Sequence, residues 1–155
     1  MKPLIIYTSK GGNTEKITNE IVQELNCESM KVTQPGLASS SNLDNYDLIF
    51  VGIGIHYGNP NEELINYLKT IDLKKPKVFA LFVTWGAAGK TSQDVIVKLK
   101  TILESKGHRV TDNYFVCCGG WNFLRRGHPN FQDFNKAKIW AKKTVIQFST
   151  FQLNF

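Results

Sequence analysis

The sequence is short of cysteine, of long apolar runs and, in its second half, of acid. Its three cysteines, Cys27, Cys117 and Cys118, make no even framework, which argues against the disulfide-stapled scaffold of a small secreted domain. Two of them are adjacent in the apolar run 114–118. Neighbouring residues on a strand point to opposite faces, so joint metal ligation is not expected and buried thiols are. No apolar stretch approaches the ~18 residues of a membrane span. Residues 1–7 hold too short an apolar run for a signal segment, so the expected location is the cytoplasm. His56, His108 and His128 lack helical metal-ligand spacing, and no metal is expected. No Ser, His and Asp set falls at strand ends, so no catalytic residue is assigned.

The acid is unevenly spread. Residues 1–73 carry 5 Lys/Arg against 9 Asp/Glu, while residues 74–155 carry 14 against 4, and the whole chain is +6. A basic half can mark a nucleic-acid or acidic-protein partner. Here Lys98, Lys106, Lys138 and Lys142 fall on expected helix exteriors, where a solvated face accounts for them, so nucleic acid is not expected. What the chain does have is core material: 42% of its 155 residues are hydrophobic, enough for a single domain over residues 1–155.

Apolar, β-rich runs alternate with segments of helical period. Strands are expected at 4–8, 48–52, 78–83 and 110–117, with a weaker one at 28–32. Several are continuously apolar, as befits strands covered on both faces. Helices are expected at about 14–25, with Ile17, Ile21 and Leu25 on one stripe; after Asn59-Pro60-Asn61-Glu62, read as a cap, a first-turn proline and a glutamate; from Thr91-Ser92 to a stop at Gly107; and at about 131–148, striped by Phe134, Ala137, Ala141 and Val145. Residues 34–41 read as loop, and 150–155 stay unassigned. Right-handed crossovers wind this order into an α/β fold, a doubly wound five-stranded parallel sheet in the order 2-1-3-4-5 with helices on both faces.

In such a sheet ligands bind beyond the carboxyl ends of the strands. The first strand runs into Ser9, Lys10, Gly11, Gly12, Asn13 and Thr14. Two glycines let the backbone curl, the next helix presents unpaired N–H groups, and short hydroxyl and amide side chains add donors. That combination suits a terminal phosphomonoester held without a salt bridge. The third strand leads to Ile55, His56, Tyr57, Gly58 and Asn59, and the fourth to Thr84, Trp85, Gly86, Ala87, Ala88 and Gly89. Glycine beside a large ring in both loops suits a flat aromatic ligand. A Gly89-Lys90-Thr91 phosphate loop for nucleotides is rejected, because Thr84 stands where that motif needs glycine. A receiver domain is rejected as well, because the first and third strands end without its acidic residues. His108, in a helix-to-strand turn, reads as surface, and His128 before Pro129 reads as a turn residue.

With these loops in register, the sequence resembles the flavodoxin family in its short-chain form, over about residues 3–146. The family's Ser-x-Thr-Gly-Asn-Thr phosphate loop is matched by residues 9–14 except at Gly11. The resemblance implies FMN as cofactor, held by all the loop residues just named except Ala88, and electron transfer as the function. It implies that the peptides of 57–59 lie beside the flavin N5 edge, where Gly58 permits the backbone to turn on reduction. Trp85 becomes a ring neighbour. The segments 118–120 and 126–130 resemble a stretch of small bacterial flavodoxin-like proteins. Carriers of this family are usually acidic. Here Lys10, His56, Lys90, Arg125 and Arg126 fall near the loops, so redox partner proteins with acidic docking surfaces are expected, with the chain a monomer or weak dimer.

Residues 55–58 are also similar to the second loop of flavodoxin-like protoporphyrinogen dehydrogenases. An FMN-dependent quinone or tetrapyrrole oxidoreductase is therefore the competing expectation, and a flavin-free interaction module is the third. The shortness of the segment between the last strand and last helix favours the carrier.

Overall fold

The computed structural model describes residues 1–32, 43–86, 90–120 and 126–153. In chain order the elements are β1 (Pro3–Tyr7), α1 (Asn13–Leu25), β2 (Glu28–Lys31), β3 (Leu48–His56), β4 (Asn59–Pro60), α2 (Glu62–Thr70), β5 (Val78–Trp85), α3 (Lys90–Ser105), β6 (Arg109–Val110), β7 (Phe115–Cys118) and α4 (Phe131–Leu153). The parallel sheet runs β2-β1-β3-β5, with β6 and β7 sharing the last place beside β5. Counting that divided strand as one, the order is the expected 2-1-3-4-5. The loop reading of 34–41 lies outside the described residues.

Strand alternation sorts the core into two layers. Leu4, Ile6, Ile49, Val51, Ile53, Leu81 and Val83 pack with Leu64, Leu68, Val95 and Leu99 of α2 and α3. Ile5, Phe50, Ala80 and Phe82 pack with Ile17 and Ile21 of α1 and with Ala137, Trp140 and Ala141 of α4. Complete burial of an Ile or Phe stabilises by roughly 1.5–3 kcal/mol, so the central strands hold the fold. Trp140 is the hub of the second layer, with Phe50 edge-on at 5.5 Å and Phe115 stacked at 5.8 Å. Its indole Nε1 donates to the Asn113 carbonyl at 3.1 Å.

Several boundaries differ from expectation for local reasons. β3 continues four residues past Gly52, because Gly52 and Gly54 sit within the strand rather than ending it. The expected strand 110–117 is interrupted. Phe79 faces Val110 and Phe82 faces Phe115, so residues 111–114 span what β5 covers with Ala80 and Leu81. The polar Thr111-Asp112-Asn113 makes this excursion, and Thr111 N–H returns to the Phe79 carbonyl at 2.8 Å. α2 is capped by Asn61, whose Oδ1 accepts from the Glu63 N–H at 2.9 Å, while Pro60 belongs to β4. α4 runs on to Leu153.

His108 is buried, not surface. β6 returns across the end of β5 and lays the imidazole against Phe79, where Nδ1 accepts from the Lys77 N–H at 3.4 Å. The acidic and basic halves of the sequence meet across elements. Lys138 of α4 pairs with Glu20 of α1 at 2.6 Å, Lys142 with Glu24, and Lys98 of α3 with Glu62 of α2 at 3.6 Å. Cys27, Cys117 and Cys118 are all free thiols. Burial pushes Cys117 up to about 12 and Cys27 up to about 11, which keeps both protonated. Among the described residues, no helix is long and apolar enough to cross a membrane.

Candidate functional site

From β1 the chain crosses through α1 to β2 on one side, while β3 lies on the other. The loops after β1 and β3 therefore part in opposite directions, and a crevice opens between them at the carboxyl edge. A cavity of about 650 Å³ occupies that crevice. Ser9, Lys10, Gly11, Asn13, Thr14, Ile55, His56, Tyr57, Gly58, Thr84, Trp85 and Gly86 line it, together with Gly119 and Gly120. Twelve of the sixteen residues picked from sequence thus come together. Gly12 and Asn59 stand outside the lining: Gly12 precedes α1 at φ 82°, and Asn59 lies in β4 with its Nδ2 donating to the Tyr57 carbonyl at 3.2 Å. Ala87 and Gly89 lie outside the described residues.

The β1–α1 loop is built to leave helix amides available. Gly12 is the N-cap residue and makes no side-chain cap, so the amides that open α1 depend on other partners. Ser9 Oγ accepts from the Glu15 N–H at 3.3 Å. The Glu15 carboxylate accepts from the Tyr7 hydroxyl at 3.1 Å and from Lys31, which offsets its charge beside the helix start. Burial, then the bond to Glu15, pushes the Tyr7 phenol up to about 12, so it remains a donor. Thr8 Oγ1 is buried with no partner among the described residues.

Hydroxyls tie this loop to β5. Thr14 Oγ1 and Thr84 Oγ1 share a buried hydrogen bond of 2.7 Å. Gly54 of β3 lies directly against the pair, because a Cβ there would stand 3.1 Å from Thr14 Oγ1 and 3.2 Å from His56 Nε2. The His56 ring folds inward, and its Cε1 is 3.6 Å from where a Cβ of Gly11 would be. Burial first, and then the Lys10 charge, lower the pKa of His56 below the usual imidazole range.

The second loop is a tight hairpin. Ile55 pairs with Pro60 and His56 with Asn59 in antiparallel register, leaving Tyr57 and Gly58 as the two turn residues. Both have positive φ, 50° and 78°, the signature of a type I′ turn. The turn holds Tyr57 out at the cavity mouth, 83% exposed, while half-buried Trp85 supplies a second ring.

Sequence reasoning had not assigned the fourth loop, Gly119 and Gly120, to the site, although a glycine pair directly after a strand was a readable signal. Gly119 N–H donates to the Trp85 carbonyl at 3.0 Å, and Asn13 Nδ2 donates to the Gly120 carbonyl at 3.0 Å. A Cβ on Gly119 would stand 2.7 Å from Asn13 Nδ2, so a larger residue here has to displace the Asn13 side chain. Gly120 N–H in turn donates to the His128 carbonyl at 2.7 Å. His128 sits in the expected turn, its Nδ1 2.6 Å from Asp133 Oδ2. Asn130 and Asp133 exchange two bonds of 2.8 and 3.1 Å as a capping box for α4.

A flavodoxin-domain family model matches residues 4–123. The chain belongs to the flavodoxin family. Relatives within reach of ordinary sequence comparison include Uncharacterized protein MJ0298 of Methanocaldococcus jannaschii, 34% identical over 94% of this chain and 99% of the relative. The flavodoxin-like domain-containing protein BilS of Clostridioides difficile is 32% identical, over 96% and 99%. Among solved structures, a flavodoxin from the domain Archaea superposes with a TM-score of 0.72 at 16% identity, covering 96% of this chain and 99% of that one. Flavodoxin 1 of Bacillus cereus gives 0.70 at 20% identity, over 94% and 97%.

The cavity of this flavodoxin-family chain fits FMN on its own geometry. Its volume lies within the roughly 300–1,000 Å³ of small-molecule sites. Its polar lining is the start of α1, whose N-cap glycine makes no side-chain cap, with the short side chains of Ser9, Asn13 and Thr14, a set that suits a phosphate. Its planar groups, Tyr57 and Trp85, belong to different loops. Among the described residues no cluster of three metal-ligating side chains exists.

Proposed function

We propose that the chain holds FMN in this crevice and passes electrons between protein partners. The observation that carries the reading is the convergence of four strand-end loops on one cavity of about 650 Å³, against a helix start with no side-chain cap. When bound, FMN supplies reversible one- and two-electron chemistry, and the polypeptide binds, orients and tunes it. Ser9 and the amides and hydroxyl of Asn13 and Thr14 receive the phosphate. Gly11 and Gly12 let the backbone approach it. Ile55, Tyr57, Trp85 and Gly86 enclose the ring system and keep water from most of it. The turn 57–58, already at positive φ, and Asn59, bonded to its carbonyl, present backbone groups at the ring edge.

Two features favour a carrier over an enzyme that turns over an organic substrate. Only residues 119–130 separate β7 from α4, so no large insertion builds a second pocket. Exposed Lys10, Lys90 and Arg126 lie on the loops and helix starts that approach the site, a surface that complements an acidic protein partner. Cytoplasmic location follows from the same reading.

Purified protein should be yellow, and extraction should return FMN at about one per chain. Colourless protein that refuses added FMN would leave the family fold without its cofactor and end this reading. Turnover of a quinone with a nicotinamide donor, without any second protein, would replace the carrier by an oxidoreductase.

A further inference from the structure

The phosphate end of the crevice holds an imidazole. The family's phosphate loop needs no charged side chain, and residues 9–14 supply amides and hydroxyls enough. Yet β3 extends to His56, and its ring turns inward instead of outward as its neighbour Tyr57 does. The ring lies against Gly11, and Nε2 approaches the same point beside Gly54 that Thr14 Oγ1 reaches, 3.2 and 3.1 Å away. Thr14 belongs to the first turn of α1 and is buried. His56 is thus on the wall shared by the phosphate loop and the helix start, not at the open mouth.

We propose that His56 is a ligand of the flavin's phosphate and makes the chain's preference for FMN over riboflavin depend on pH. This inference rests on the FMN reading above. Two cations then reach the phosphate from different elements, Lys10 from the β1–α1 loop and His56 from the end of β3. Among the described residues, the hydroxyls of Thr14 and Thr84, from α1 and β5, lie beside Gly54 together with His56 Nε2, while the Tyr57 ring on the same turn points outward. Glu15, the carboxylate nearest along α1, is engaged by Tyr7 and Lys31.

The sign follows from linkage. Without ligand, burial and Lys10 favour the neutral imidazole. A phosphate dianion favours the imidazolium, so FMN binding takes up a proton near neutral pH and strengthens as pH falls. Phosphate has a second pKa of about 6, so the gain should level off below that. Riboflavin offers no phosphate and should show no such gain.

The test is the riboflavin-to-FMN Kd ratio, from flavin fluorescence quenching, between pH 8 and pH 6. The ratio should rise about tenfold on going down that range, the scale of one charge-assisted hydrogen bond. In His56→Gln it should stay flat. In Lys10→Met it should fall at every pH while keeping its slope. A flat ratio in the parent chain, or an undiminished slope in His56→Gln, overturns the role of His56 while leaving the FMN site standing. If neither flavin binds at any pH, both readings fail together. Should His56→Gln fail to fold, the parent chain still decides by NMR. The His56 ring resonance should shift its titration midpoint upward with FMN or inorganic phosphate but not with riboflavin. An unmoved midpoint counts against the proposal.

Discussion

Tyr57 stands at φ 50° and is 83% exposed. A left-handed backbone costs an L-residue roughly 1–2 kcal/mol. Asparagine tolerates this region better and is favoured in type I′ turns. Tyr57→Asn should therefore raise the urea midpoint, by up to about 1 kcal/mol in stability, while weakening quenching of bound flavin. If stability falls instead, the exposed ring contributes more to the fold than its exposure indicates. Gly119 poses the converse problem. Alanine there pushes Asn13 off the Gly120 carbonyl, and losing a bond worth about 0.5–1.5 kcal/mol should weaken FMN roughly three- to tenfold. Titration of Gly119→Ala with FMN checks this.

His108 illustrates what a single residue hides in sequence. Its position after Gly107 read as exposed turn, and only the return of β6 along β5 buries it. Burial, then the nearby Lys106 and Lys77, lower its pKa. The unfolded chain therefore takes up a proton near pH 6.5 that the folded chain resists. Stability from this group is complete above that pH and is lost as pH falls toward the folded value. His108→Asn keeps an acceptor for the Lys77 N–H but cannot titrate. Urea midpoints at pH 7.5 and 5.5 should separate less in this variant than in the parent chain, and an equal separation refutes the assignment.

Elements were legible where the signal was periodic. Central strands and the helices α1, α3 and α4 follow from continuous apolar runs and helical stripes, because these are the surfaces that must be buried twice or once, while α2 follows from the capping sequence at 59–62. Boundaries failed where a residue served a purpose set elsewhere in the molecule. Gly52 read as a strand end, yet it lies inside β3 because the Phe82 ring fills the space a side chain would need: a Cβ would be 2.2 Å from Phe82 Cζ. Pro60 read as a helix start, but the turn 57–58 draws it into a ladder with Ile55. The same logic separates the site residues. Loops carrying glycine and a ring were visible after β1, β3 and β5, whereas Gly119 and Gly120 join the site through Asn13, a contact 107 positions away in sequence. Within α4, Trp140 joins three phenylalanine rings and the excursion at Asn113. Trp140→Ala should cost about 3–5 kcal/mol in urea unfolding. A loss under 1 kcal/mol would mean that the second core layer closes over the gap.

At the scale of the molecule, the imbalance between the two halves of the sequence is partly consumed inside it. Glu20, Glu24 and Glu62 meet lysines from the other half, and such pairs at the surface contribute little to stability. Among the described residues, Lys10 and Lys90 near the crevice have no ion-pair partner. A unit positive charge about 10 Å from the flavin at an effective dielectric of ~20 stabilises added negative charge by about 1–2 kcal/mol. That is several tens of millivolts for one electron. A redox titration should place the second reduction step above that of acidic flavodoxins, and an equally low potential removes this effect. Association with an acidic partner should slow as salt is added, and an unchanged rate across ionic strength would rule out electrostatic docking.

The broken last strand has a consequence for the company the protein keeps. An uninterrupted row of free amides and carbonyls along an outer strand is a template onto which another chain can zip. Here one flank of the sheet offers two residues, then a polar detour, then four. The other flank offers four, bearing Glu28 and Lys31. Among the described residues neither flank offers more than four strand residues in a row, and that shortness, rather than any lack of apolar side chains, makes each a poor template for a stray strand.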